Sequence, residues 1–194
     1  MAINPSFFNK INVTDTCSVW NIISSRTLYK WAKTQSVDFI CTKFVIYECL
    51  YKPRKMTTDC EAELCEILQE IITKNNDFPS YDISLEDLQH YDVLKKRKKL
   101  GKGELSSIIF AKKIQQALLT DDQEARKLGD AFLAPNVTQT TPHLLSWLMY
   151  NRIINDEDFD VVIEEHSNYN RPLTKHFNKA RELALIALCK ESNK

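Results

Sequence analysis

Four acidic positions fall where a chain can aim carboxylates at one edge of a sheet. Asp15 closes the β-prone run INVTD (11–15). Glu48 lies in a helical pattern after Thr42. Glu104 comes directly after a glycine-rich turn, LGKG (100–103). Asp122, with Asp121 beside it, follows the short apolar run at 117–119. Clustered carboxylates repel one another and hold protons more tightly unless a cation intervenes. Oxygen-only ligands suit Mg²⁺ or Mn²⁺. Such a site lowers the pKa of a bound water and clamps phosphoryl oxygens, which is the chemistry of phosphodiester hydrolysis. Any one of these acids alone is better explained as a surface charge or as a carboxylate favoured by a helix dipole. The inference comes from four acids in matching positions.

The elements that must position them read as alternating strands and helices. Strands are expected at 11–15, 39–41, 117–119 and 136–139, with a weaker one at 78–83. Thr16 or Ser18 is expected to cap a helix through Val19, Trp20, Ile22 and Ile23, which continues or restarts over 28–34. Thr42 caps a helix that ends before Pro53. Leu64, Cys65, Leu68, Ile71 and Ile72 mark an amphipathic helix over 58–74. Ser84 opens a helix through Leu94, a helix of about three turns follows Glu104, and 124–132 is helical. Pro142 opens a last helical third, with helices over 142–153, 158–166 and 174–188. This alternation predicts an α/β fold with a central parallel sheet, in which sites form outside the carboxyl ends of the strands. Residues 142–194 form a helical C-terminal extension packed on the same domain, since no Pro/Gly/Ser-rich linker precedes them.

Composition narrows the setting. The 194 residues carry a formal net charge of +0, so any nucleic-acid contact must come from a local basic patch. One such patch is the run Lys95, Lys96, Arg97, Lys98 and Lys99, with Lys102 beyond it. It reads either as a phosphate-holding element beside Glu104 or as a solvated helix end with cations at the favourable pole. Arg126, one turn after Asp122, reads equally as a phosphate grip or as the i,i+4 partner of Asp122. The six cysteines form no CxxC pair and no zinc spacing, and read as reduced thiols in a cytoplasmic protein. No leader segment or membrane-long apolar run is expected. Only three glycines occur, two of them just before Glu104, which points to a backbone reason for their placement. Leu144, Leu145, Leu148 and Met149 read as core, or else as a face for a partner protein or a twin subunit.

The blocks VTDTCSVWNIISS (13–25), FICTKFVIYECL (39–50), LGKGELSSIIFA (100–111) and LLTDDQEAR (118–126) together resemble the PIN domain family over about residues 11–140. The resemblance implies a three-layer α/β/α fold over 1–141. It also implies a metal-dependent ribonuclease, as in the toxins of bacterial toxin–antitoxin pairs, with an RNA substrate and, for a toxin, an inhibitory protein partner. Asp15, Glu48, Glu104 and Asp122 then match the family's acids, with Asp121 as a further ligand or a support. Thr16 and Ser18 would support the first turn, and Thr120 would touch the metal's water shell. The longer C-terminal third departs from the minimal pattern and leaves substrate and partner open. Two alternatives stand beside this reading: a nucleic-acid-binding or regulatory module without turnover, and a nuclease acting on DNA.

Overall fold

The computed structural model describes residues 3–53, 58–84, 86–87, 100–171 and 173–192. Five parallel strands form one sheet: β1 (Ile11–Thr14), β2 (Asp38–Thr42), β3 (Ser80–Tyr81), β4 (Ala117–Leu119) and β5 (Thr138–Gln139), in the order β3-β2-β1-β4-β5. Val13 pairs with Ile40 on one side and with Leu118 on the other. Helices cover both faces, so the expected three-layer α/β/α architecture is what the chain adopts.

The alternation of side chains along a strand splits the core in two. Val13 and Leu118 point to one face, against α5 (Lys102–Ile114) and α6 (Gln123–Phe132), where Ile108, Ile109 and Leu128 are buried. Phe39, Cys41 and Leu119 point to the other face. That face holds α1 (Thr16–Ile23), α2 (Arg26–Thr34), α3 (Lys43–Leu50) and α4 (Asp59–Asn75), together with α7 (Thr141–Tyr150), α8 (Asp156–Asn168) and α9 (Thr174–Ser192). The C-terminal helices therefore share the larger core. Leu144, Leu145 and Leu148 are fully buried and Met149 nearly so, which removes them as a surface for a partner or a second copy.

Several local expectations need correcting. Neither Thr16 nor Ser18 caps α1. Asp15 does, its Oδ1 accepting from Ser18 N at 2.8 Å. A carboxylate is the stronger acceptor at a helix N-terminus, where dipole and unpaired N–H groups both favour it. The same holds for α6, which Asp122 caps through Ala125 N at 2.7 Å. The strand expected over 78–83 shrinks to two residues after Phe78, which takes a positive φ of 54°. Ser84 and Asp87 cap each other's N–H groups at 3.1 Å, but the helix expected to run on through Leu94 lies outside the described residues. So does the basic run from Lys95 to Lys99.

β1 and β4 are sheet neighbours, yet β1 is followed by a crossover to β2 on one side and β4 by a crossover to β5 on the other. This is the topological switch point of the sheet. The two outgoing chains part there and leave a crevice at the carboxyl ends of the strands.

Candidate active site

Asp15 stands at the tip of β1, in that crevice, with no exposed surface. Its backbone N–H extends the ladder to Leu119 O at 3.2 Å. Its side chain accepts from Ser18 N and from the hydroxyl of Thr120, at the tip of β4. Burial pushes its carboxyl up to about 7 against these two hydrogen bonds, and the charge of Asp121 pushes in the same direction. Asp15 is thus a carboxylate that the fold holds at a cost unless positive charge arrives.

Glu48 comes from the second turn of α3, not from its start. Helix side chains lean toward the N-terminus, which brings its carboxylate to the crevice: Thr16 Oγ1 donates to Glu48 Oε2 at 2.8 Å. Lys52 stands 3.7 Å from Glu48 Oε1. Glu104 is the third residue of α5 and bonds back to the N–H of Gly101, the cap residue of its own helix. Burial raises the Glu104 carboxyl first, and the charges of Asp122 and Glu48 raise it further. Glu104 thus shares an electrostatic neighbourhood with Glu48 and Asp122, whereas the acid that Asp15 feels is Asp121.

Gly103 explains how α5 reaches that neighbourhood. No glycine of the chain has a positive φ, so backbone freedom is not the reason for this one. A Cβ on Gly103 would lie inside contact distance of Glu48 Oε2 and 2.6 Å from Thr16 Oγ1. The start of α5 sits flush against the Thr16–Glu48 pair, so a side chain there would force that pair to move. The scarcity of glycine in the sequence signalled the position; the reason is close approach.

Asp121 has a different role from its neighbour. Its Oδ1 accepts from Thr141 N at 2.9 Å. Its Oδ2 accepts from Ser18 Oγ at 3.2 Å, Asn21 Nδ2 at 2.9 Å and Thr141 Oγ1 at 2.5 Å. Four donors from α1 and α7 occupy both oxygens, so Asp121 is a strut that holds the C-terminal helices to the crevice. Asn21 and Thr141 carried no signal in the sequence. His166, fully buried, bonds Asn21 O at 2.7 Å and braces the strut from α8. Beside these acids, burial and then the charges of Asp15 and Asp121 push the Cys17 thiol up to about 12, which disfavours its thiolate.

Arg126 pairs with neither Asp122 nor any other acid among the described residues; its backbone N–H closes the first turn of α6 on Asp122 O at 3.0 Å. Lys102 is exposed and lines a groove of about 630 Å³ beside Glu48, together with Lys43, Tyr47 and Lys52. Among the described residues, no three His, Cys, Asp or Glu side chains stand together at metal-ligating spacing. Asp15, Glu104 and Asp122 each turn an oxygen onto a cap, and Glu48 one onto Thr16. The donor set nonetheless fits a hard divalent cation in kind: oxygen only and half-buried to buried, with Asp15 and Glu104 raised in proton affinity, by burial first. No protein-family model, curated protein or solved structure matches this chain.

Proposed function

We propose that the protein is a PIN-like nuclease that hydrolyses RNA phosphodiester bonds with a divalent cation, Mg²⁺ or Mn²⁺, at the crevice between β1 and β4. The observation that carries this reading is that Glu104 lies within electrostatic reach of Glu48 and Asp122, beside the sheet's switch point where Asp15 is buried at the tip of β1. A phosphate-binding protein gains nothing from carboxylates gathered there, since they repel its ligand.

Asp15, Glu48, Glu104 and Asp122 would hold the cation, which when bound supplies an activated water and neutralises charge on the phosphate. Glu104 and Asp122 would leave their caps to do so, a modest change of side-chain rotamer. Thr120 keeps Asp15 in place, Thr16 keeps Glu48 in place, and Asp121 fixes the crevice wall. The substrate strand would lie along the groove of Lys43, Lys52 and Lys102. Tyr47, half exposed there, offers a ring on which a base can stack. Among the described residues no helix is long and apolar enough to cross a membrane.

The test is cleavage of a panel of single-stranded, transfer and duplex RNAs and of DNA, in Mn²⁺ and in excess chelator. Metal-dependent cleavage that is lost in Asp15→Asn supports the reading; cleavage in chelator, or full activity of that variant, defeats it. A second reading is favoured by the absence of a closed ligand trio among the described residues: a nucleic-acid-binding module without turnover. It predicts RNA affinity that persists in chelator and no cleavage of any substrate. Whether such a nuclease acts as a toxin with a protein inhibitor is a further layer of the same proposal.

A further inference from the structure

A second cavity, of about 590 Å³, opens on the far side of Asp121 from the lysine groove, between α6, β5 and α9. That is the size of a site for a small molecule or a single nucleotide. Among the residues that line it, Arg126 keeps a buried Nε without a hydrogen-bond partner; the unpaired Oγ1 of Thr138 lies against Gly129 instead. A buried donor left unmade, above all one on a guanidinium, costs more than a made bond gains, so such atoms usually mark a missing partner.

The charges around it say what that partner is. Arg126 contributes a guanidinium that no acid neutralises among the described residues. Across the cavity, His176 and Lys179 lie three residues apart on one face of α9, both exposed. Two carboxylates also line it. Asp121 already takes four donors, and Asp130 is exposed to solvent. The free donors are therefore a planar cation, an ammonium and an imidazole on opposed walls. This set matches a tetrahedral oxyanion with several acceptor oxygens.

We propose that this cavity binds a phosphomonoester, either a free nucleoside monophosphate or the terminal phosphate of a nucleic-acid strand. The free-nucleotide form stands on the cavity alone. The strand-end form deepens the nuclease reading and rests on it: a strand lying along the lysine groove and across the acidic crevice would end here, so that cleavage would fall a fixed distance from a phosphorylated terminus.

The experiment is isothermal titration calorimetry of the full chain, in chelator and at low ionic strength, with adenosine monophosphate and with single-stranded RNA decamers. The decamers carry a 5′-phosphate, a 3′-phosphate or no terminal phosphate. Either adenosine monophosphate binds saturably, or one phosphorylated decamer binds about tenfold more tightly than its unphosphorylated form. Saturable binding of the monophosphate without a gain from a terminal phosphate assigns the cavity to the free nucleotide. A gain for one terminus assigns it to the strand end. Arg126→Gln and, on a different helix, Lys179→Gln each remove most of the effect, and Arg126→Lys restores part of it. Asp15→Asn keeps it, so a failed nuclease assay and a failed phosphate site remain separate results. No binding of the monophosphate together with equal affinity for all decamers overturns the proposal. So does an effect that survives both glutamine variants, or one lost with Asp15.

Discussion

Replacing Gly103 by alanine separates the site from the stability of the fold. The helix itself should welcome the change, since alanine inside a helix is favoured over glycine by about 1 kcal/mol. The cost arises outside the helix, because the new methyl group would overlap Glu48 Oε2 and stand 2.6 Å from Thr16 Oγ1. Something must yield, and the cheapest movement swings the Glu48 carboxylate away and breaks its 2.8 Å bond from Thr16. A hydrogen bond to a charged group contributes about 1.5–3 kcal/mol. The two effects nearly cancel, leaving a net loss of about 0.5–2 kcal/mol. For a chain of 194 residues that is a fall in Tm of about 1–8 °C. The effect on the site is larger, because displacing a carboxylate or its support typically weakens metal affinity about 10–100-fold. Differential scanning calorimetry and Mn²⁺ titration of the same preparation read both quantities. Wild-type Mn²⁺ affinity in a folded Gly103→Ala protein would refute the packing argument. A variant that does not fold would show Gly103 to be structural.

Five further substitutions bear on three separate links. The folded-state pKa of Asp15, near 7, lies well above its ordinary value of 3.8. Its contribution to stability is therefore full below pH 4 and lost as pH rises through 7, an effect of roughly 4 kcal/mol. In chelator, Asp15→Asn should exceed wild type in Tm at pH 8 and lose that advantage toward pH 5. The difference between the two proteins cancels the opposing contribution of His143 and His166, whose burial lowers their pKa; a difference independent of pH would contradict the burial argument. Asp121→Asn turns an amide toward three donors and should cost about 2–3 kcal/mol in urea unfolding. Asp122→Asn keeps a good helix cap and should change stability little while lowering Mn²⁺ affinity; the reverse pattern would exchange the two roles. Tyr47→Ala should weaken single-stranded RNA binding by about 1–3 kcal/mol with an unchanged salt slope, whereas Lys102→Gln should reduce that slope by about 1. Fluorescence anisotropy across a salt series distinguishes these from no effect.

The architecture was legible because most strands and helix starts announce themselves locally. The run INVTD, the cap Thr42 and the apolar 117–119 lie within a residue or two of the observed elements. What could not be read were bonds between distant segments. Nothing in the sequence links Asn21 and Thr141 to Asp121, since that link exists only once α7 has packed beside α1. The capping residue of α1 was missed for a related reason. Thr16, Ser18 and Asp15 are all acceptable caps, and the choice depends on where the strand ends, which pairing with β4 decides. Gly103 was flagged for the wrong cause, because a close approach between helices leaves the same trace in a sequence as a turn.

The central claim is that Asp15, Glu48, Glu104 and Asp122 serve a single divalent cation site. Calorimetric titration of Mn²⁺ into the full chain at pH 8 addresses it without assuming any substrate. The account predicts saturable binding at one site, abolished by Asp15→Asn and strongly weakened by Glu104→Gln. Absence of binding up to millimolar Mn²⁺, or binding unchanged in both variants, would contradict it.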